Sequence, residues 1–405
     1  QDDTGPTMTI TSATVASGAT TATAAVVLVY TSNEATDDFA AADITDTGCS
    51  DASFTTASST VYGSTCTVSA DGAASIVVAA GTFNDALGND NTVSNTYSWT
   101  QDDTGPTMTI TSATVASGSS TNTGAVVLVY TSNEVTDDFA LVDITVTECS
   151  NAAFTTASST VYGSTCTEVT NAVVPTVLVA VDKFTDATGN NNQVSNTYTW
   201  TYDNADPTMT ITSTAGDDDG DTSAVAAYAL TYTSNEATDD FAVGDITGAS
   251  CTVGNFGTTS TTIYTSTCTA ADGATANVRV AAATYTDTAG NDNTVSNTFD
   301  WTYDGTGPTM TITSTAGTDD GGTSGVEDFA LTFTSNEATA NFAAVDITVT
   351  GGDDCTLGAF ASTSTTVYTA TCTRSAGETG NVLVAADTYT DTAGNDNTVS
   401  NTFDW

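Results

Sequence analysis

The 405-residue chain has no histidine and only three basic residues, Lys183, Arg279 and Arg374. Without histidine, Ser-His and Cys-His nucleophile arrangements cannot be assembled. Without clustered lysine and arginine, neither nucleic acid nor an anionic membrane surface can be held. No apolar run is long enough to span a bilayer as a helix, and no secretory leader pattern opens the chain. Proline occurs five times, four of them at one recurrent position. No Asn-x-Ser/Thr glycosylation site is present; the many threonines and serines leave O-linked sugars open.

What is present is acid and repetition. Forty-nine acidic residues give a net charge of −46, yet only 13% of residues are charged and 39% are hydrophobic. That is enough apolar content for packed cores, and it sets the chain apart from a disordered acidic tail. So large an excess of one sign repels itself and calls for cations, as salt or as bound metal. Aligned on Pro-Thr-Met-Thr-Ile, the chain resolves into four near-copies with prolines at Pro6, Pro106, Pro207 and Pro308. The repeats are read as 1–100, 101–201, 202–302 and 303–405, a period suited to independently folding domains rather than solenoid units. Pro175 lies inside the second copy. The chain starts and stops at repeat boundaries, which reads as a segment of a longer array.

Within the first repeat, Thr7–Ser12 alternates threonine with Met8 and Ile10, and Ala25–Thr31 is a second strand-like run. Further strands are expected over Asp43–Thr47, Ser53–Thr56, Thr60–Ser69, Ala74–Phe83 and Thr92–Thr100. Turn residues separate them every ten or so positions, and no stretch keeps a 3.6-residue period. Seven short strands of this kind predict an all-β fold, a tandem array of four immunoglobulin-like β-sandwiches with almost no helix.

The eight cysteines fall as Cys49/Cys66, Cys149/Cys166, Cys251/Cys268 and Cys355/Cys372, one pair per repeat. No Cys-x-x-Cys spacing and no histidine accompany them, so zinc is not indicated. One disulfide per repeat is expected, and with it an oxidising, extracellular setting. Alternating strand directions put both members of each pair at the same end of the sandwich. Closing such a loop stabilises a domain by roughly 3 kcal/mol in the chain-entropy account.

The same strand count gathers acidic elements at the opposite end, where the chain enters each repeat. In the first repeat these are the linker Asp2 and Asp3, Glu34 after the second strand, and Asp85, Asn89 and Asp90 in the turn before the last strand. They recur as Asp102, Asp103, Glu134, Asp186 and Asn190; as Asp203, Glu236, Asp287 and Asp292; and as Asp304, Glu337, Asp391 and Asp396. Loop aspartates Asp37, Asp38, Asp137, Asp138, Asp239 and Asp240 are weaker candidates, because the fourth repeat has Ala340 and Asn341 there. Across the joint the preceding repeat offers Asp71, Asp272 and Asp217–Asp219. Carboxylate and amide oxygens with no nitrogen or sulfur donor suit a hard cation, calcium before magnesium. The competing reading is that these residues only serve Asx turns on a solvated surface. Asp217-Asp-Asp-Gly-Asp221 is not an EF-hand loop, since Tyr228 stands where the bidentate glutamate belongs.

The run Asp-Asp-Thr-Gly-Pro-Thr-Met-Thr-Ile, then Ser-Asn-Glu, then Asp-x-x-Gly-Asn and a terminal tryptophan resembles the bacterial Ig-like domains. Such domains form the stalks of long surface adhesins, and similar repeats occur in giant surface proteins of marine microbes and algae. The resemblance implies an extracellular structural role with calcium at interdomain joints; the cysteine pair is a departure from it.

The residues therefore point to a non-catalytic, rigid, extended spacer or filament body at the cell surface, stiffened by Ca2+ at its joints. The alternative is a ligand- or glycan-binding adhesin module. Expected partners are further copies of the repeat, head-to-tail or lateral, and surface glycans. Trp99, Trp200, Trp301 and Trp405 are read as packing residues rather than sugar platforms. Thr7, Thr9 and Thr11 are read as the outer face of an ordinary strand rather than an ice-binding array.

Overall fold

The computed structural model describes all residues except 1–2, 37, 137, 169, 214–218, 239, 315–320, 322–327, 352–354, 376 and 378. Two compact units, Gln1–Asn204 and Ala205–Trp405, each hold two repeats.

In the first repeat the strands are β1 (Met8–Thr11), β2 (Thr20–Thr21), β3 (Ala25–Ser32), β4 (Ile44–Thr47), β5 (Ser50–Ser58), β6 (Val61–Thr67), β7 (Gly72–Val78) and β8 (Tyr97–Gln101). They form two four-stranded sheets, ordered β1-β3-β6-β5 and β2-β8-β7-β4. Buried and exposed residues alternate along β3 and β6, as expected when one face of a pleated strand meets a core. The inward set includes Met8, Ile10, Leu28, Tyr30, Tyr62, Ile76, Phe83 and Trp99. This is the immunoglobulin-like sandwich predicted for the chain. Among the described residues the only helical pieces are single 3-10 turns such as Ala41–Asp43. The second repeat starts with β9 (Met108–Thr111), β10 (Ser120–Thr121), β11 (Ala125–Ser132) and β12 (Ile144–Thr147). It continues with β13 (Ser150–Ser158), β14 (Val161–Thr167), β15 (Thr176–Val179), β16 (Tyr198–Thr199) and β17 (Thr201–Tyr202). The second unit repeats the plan, its larger sheets centred on Ala227–Ser234 and Asp328–Ser335.

All four expected disulfides form. Cys49–Cys66, Cys149–Cys166 and Cys251–Cys268 have Cα–Cα separations of 5.7 Å, and Cys355–Cys372 has 5.3 Å. Each second cysteine lies late in its strand, as the strand count expected, and its side chain is turned into the core. Cys66, Cys166, Cys268 and Cys372 are 0% exposed and belong to the hydrophobic cores. Each lies inside a strand: β6, β14, and their equivalents Ile263–Ala270 and Val367–Thr373. Their strand neighbours across the sheet are Val26, Val126, Tyr228 and Phe329. The reason is the two-residue period of the strand, which turns Tyr62, Ser64 and Cys66 to the same inner face. These four sulfurs are therefore core atoms and take no part in any site. Trp99, Trp200 and Trp301 are at most 2% exposed, so they too pack cores rather than offer platforms.

Several strand limits differ from the sequence reading, for physical reasons. The strand expected over Thr92–Thr100 is only Tyr97–Gln101, because Asn91, Ser94 and Asn95 give their side chains to neighbouring backbone. Asn95 accepts from Ile10 N at 2.7 Å and donates to Ile10 O at 3.0 Å, imitating a strand partner for β1. The strand begun at Ala74 starts at Gly72 and ends at Val78, the chain then turning through Gly81 at φ 74°. The segment expected over Ser53–Thr56 is nine residues long, Ser50–Ser58. Strand β2 carries no sequence signal; it is two residues pairing in parallel with β8, and it moves the chain from one sheet to the other.

Each edge strand equivalent to β5 is broken by a bulge, with Ser53, Ala153, Asn255 and Ala359 at φ between 47° and 57°. Alanine is strained in that left-handed region. The A153G and A359G substitutions are each expected to raise stability by about 0.5 kcal/mol, relief of strain exceeding the added freedom of the unfolded chain. Thermal unfolding checks this, and an unchanged or lower midpoint counts against a strained bulge.

Candidate metal centres at the joints

The connector between the first two repeats is fixed on both sides. Asp102 N donates to Thr21 O at 3.0 Å, and Asp103 N to Asp71 Oδ1 at 2.7 Å, with Thr104 Oγ1 on the other oxygen of Asp71. These tie it to the first repeat. On the far side Gln193 N donates to Pro106 O at 2.9 Å and Asn190 Nδ2 to Asp102 O at 2.9 Å. Asn133 Oδ1 accepts from Thr107 N at 2.6 Å, which aligns the end of β11 with the start of β9. Gly105 is required here: a Cβ on it would stand 1.8 Å from Asn191 O.

This web delivers three carboxylates to one place. Asp102 comes from the connector, Glu134 from the residues just past β11, and Asp186 from the turn before the last strands. One oxygen of each lies within 4.8 Å of the others, Asp186 buried and its partners half-buried. Asp186 is held by its own turn. Its Oδ1 accepts from Thr188 N and Asn190 N at 2.8 and 2.9 Å, and its Oδ2 from Asn190 Nδ2 at 2.9 Å. Burial opposes its charge, but these donors outweigh burial and hold its carboxyl below the usual range. Glu134 is less well supported, with only the Asn133 side chain favouring its charge. Its Oε1 is buried without a hydrogen-bond partner, and burial, then the charges of Asp102 and Asp186, push its pKa up.

The second unit builds the same arrangement from Asp304, Glu337 and Asp391. Asp304 N donates to Ser223 O at 3.0 Å and Gly305 N to Asp272 Oδ1 at 2.6 Å. Asn395 Nδ2 reaches Asp304 O at 2.7 Å, and Thr398 N reaches Pro308 O at 3.0 Å. Ala224 N adds a bond to Ala393 O at 3.0 Å. Burial, then Asp304 and Asp391, push the Glu337 pKa up.

Two unit charges 4.8 Å apart repel by about 3.5 kcal/mol at an effective dielectric near 20. Only oxygen donors are offered, one of them a buried atom with no partner. That donor chemistry fits a hard divalent cation.

The other candidates are placed as follows. Asp2, Asp37, Asp137, Asp239, Asp217 and Asp218 lie outside the described residues. In the first repeat Asp85 is organised as Asp186 is, with Asn89 Nδ2 at 2.8 Å from its Oδ2; Asn89 holds its carboxyl below the usual range. Glu34 is half-buried and Asp3 exposed. Asp103 stands beside Asp71, whose hydrogen bond and charge push its carboxyl up. Asp90, Asp292 and Asp396 are not in the carboxylate triads; they pair backbone with Asn84, Thr286 and Thr390 across the turn. Asp203 closes the first unit, its N–H on Thr121 O at 3.0 Å. Glu236 and Asp287 belong to the second, where Asp287 Oδ1 accepts from Ala289 N and Asn291 N at 2.8 and 2.9 Å.

The loop aspartates turn out to be structural. Asp38 accepts from Asn84 N, Asp138 from Thr185 N and Asp240 from Thr286 N, at 2.9–3.0 Å. Asn341 accepts from Thr390 N at 2.8 Å, so the fourth repeat keeps the acceptor and drops the charge. Sequence reading missed the asparagine scaffold of Asn91, Asn192, Asn293 and Asn397. Each is buried and ties the two ends of the same turn. The recurring Asn-x-x-Ser-Asn spacing was its only signal.

Two sheets packed face to face, with β1 in one and β2 in the other, define an immunoglobulin-like β-sandwich protein built of tandem repeats. Residues 203–303 and 304–404 match the family described as bacterial Ig-like domain. The chain belongs to that family. No curated protein matches it. Among solved structures it is similar to FdeC, an Escherichia coli adhesin, at 11% identity and TM-score 0.36, covering 73% of this chain and 96% of that one. It is similar to invasin, a bacterial integrin-binding protein, at 13% identity and TM-score 0.37, covering 98% and 78%. InvD of Yersinia pseudotuberculosis follows at 14% identity and TM-score 0.35, covering 73% and 98%.

Proposed function

We propose that the chain is the repeat body of an extracellular surface protein, a stiff spacer of four domains whose joints are set by Ca2+. The assignment of one domain to each hundred-residue repeat is part of this reading, and it includes no catalytic step. One observation carries it: a carboxylate of the connector itself, Asp102 or Asp304, lies within 4.8 Å of two carboxylates of the following repeat. A cation there joins connector to domain, offsets the repulsion among the three acids, and makes bending cost the coordination energy. Dissociation constants typical of extracellular modules, about 0.1–1 mM, suit such a role.

The test is thermal unfolding and small-angle scattering of the whole chain in calcium and in chelator. At ten times its dissociation constant, calcium stabilises by about 1.4 kcal/mol per site. The melting midpoint is expected to rise, and the scattering profile to become that of a stiffer chain. If neither changes, calcium has no part in the joint.

The metal-free protein has a signed pH response. Because the Glu134 and Glu337 pKa values are raised, the folded state binds those protons more tightly than the unfolded state does. Stability in chelator is therefore expected to rise as pH falls through their folded pKa values toward the ordinary glutamate value near 4.3. Below that it falls, as Asp186, whose pKa is lowered, loses its charge. Calcium affinity moves the other way and weakens as those glutamates take up protons. A melting midpoint in chelator that only falls with acidification contradicts the clustering of these charges.

A further inference from the structure

The acids are distributed unevenly over the fold. They crowd the ends of each repeat and leave one broad surface bare, the outer face of the sheet containing β3. In the second repeat one row across that face reads Thr111, Val129, Gly163 and Thr155. The corresponding row of the third repeat is Thr212, Thr231, Thr265 and Gly257. No outward position on these four strands is charged in the first three repeats, and the fourth has only Asp328, at its rim. Val27 and Val127 stand on this face 48% and 52% exposed. The opposite sheet is different, presenting Arg279, Asp300 and Asp404 among its outward residues.

We propose that this face is where a second copy of the chain packs, sheet face against sheet face. Two molecules that each carry a charge of −46 repel wherever their acidic ends meet. A charge-free face lets them touch without burying carboxylates. The face carries no basic group to hold an anion and no aromatic ring to stack a sugar. Its threonines offer methyl groups for contact and hydroxyls that bond to one another. Pairing along the β5-type edge is obstructed, since that strand is bulged in every repeat. Four strands about 4.8 Å apart and four outward residues deep give a face of about 400 Å². A stable contact needs about 800 Å² per partner, so at least two repeats must engage together. Tandem repetition of the face supplies that multivalency.

The test is sedimentation velocity of the full chain over a concentration series, in chelator throughout so that the result is independent of the joint cations. Wild-type protein is expected to associate with rising concentration, and more strongly at 1 M salt, where screening shortens from about 8 to 3 Å. The double substitution V27D with V127D is expected to weaken association at least about tenfold, by placing like charges face to face. T45D with T145D, outward on the other sheet, leaves it unchanged. Hydroxyl-radical footprinting of the wild type reads the contact without any substitution. Val127 becomes protected as concentration rises, whereas Val194, 59% exposed in a loop, does not. A single unassociated species at every concentration and salt overturns the proposal. So does an equal loss from the control pair, or protection of Val194 alone.

Discussion

Replacing Asn397 with alanine is expected to cost the last repeat roughly 3–5 kcal/mol of stability, the largest effect of any single side chain considered. Asn397 is 2% exposed. Its Oδ1 accepts from Thr388 N at 2.8 Å and Tyr389 N at 2.9 Å, and its Nδ2 donates to Ala385 O at 2.7 Å and Thr398 O at 2.9 Å. Alanine leaves the Thr388 and Tyr389 N–H groups and the Thr398 carbonyl without these bonds, the Tyr389 N–H being the buried one, while Ala385 O keeps Thr388 Oγ1 at 3.0 Å. Each costs about 1–3 kcal/mol when buried and unmet. The N397D variant separates acceptor from donor, because it keeps the two N–H bonds and loses both carbonyl bonds. Denaturant unfolding should show both variants destabilised, alanine more. A loss below about 1 kcal/mol for alanine means the turn is held by something other than this amide.

The G105A substitution is expected to disable the first joint. The new methyl would sit 1.8 Å from Asn191 O and 2.9 Å from its carbonyl carbon, both backbone, so the connector itself must move. Movement breaks the bond from Gln193 N to Pro106 O and withdraws Asp102 from Glu134 and Asp186. We expect a loss of about 2–4 kcal/mol from the second repeat and at least a tenfold weaker calcium response at that joint. The control is G118A. Gly118 has φ 85° with nothing within 4 Å of its Cβ position, so alanine strains only a surface turn and leaves the cation response alone. Isothermal titration with calcium distinguishes the two. Equal binding by wild type and G105A detaches the connector from the proposed site.

Local pattern carried far in this protein. Alternation in Met8–Thr11 and Ala25–Ser32 made those strands legible, because a pleated strand exposes every second residue whatever its neighbours are. The cysteine pairing followed from one pair per repeat and consistent strand direction. That Cys66 and its counterparts Cys166, Cys268 and Cys372 sit within the core was not legible, because it depends on the sheet packed over them. The acidic end of each repeat was readable, since it needs only strand count. Which acids meet was not. Asp102, Glu134 and Asp186 are separated by dozens of residues, and nothing along the chain says which side chains of the turn face the connector. Asn95 could not be assigned from its surroundings because its partner, Ile10, lies 85 residues away.

Sequence by itself determined the fourfold repetition, the all-β sandwich, the disulfides and the sign of the electrostatic problem. These depend on composition, period and neighbours along the chain. Tertiary structure alone decided that β1 and β2 join different sheets, which carboxylates converge on the connector, and which flank stays free of charge. Those outcomes depend on distances between side chains far apart in sequence, fixed only once buried asparagines and close-packed glycines set the paths of the turns.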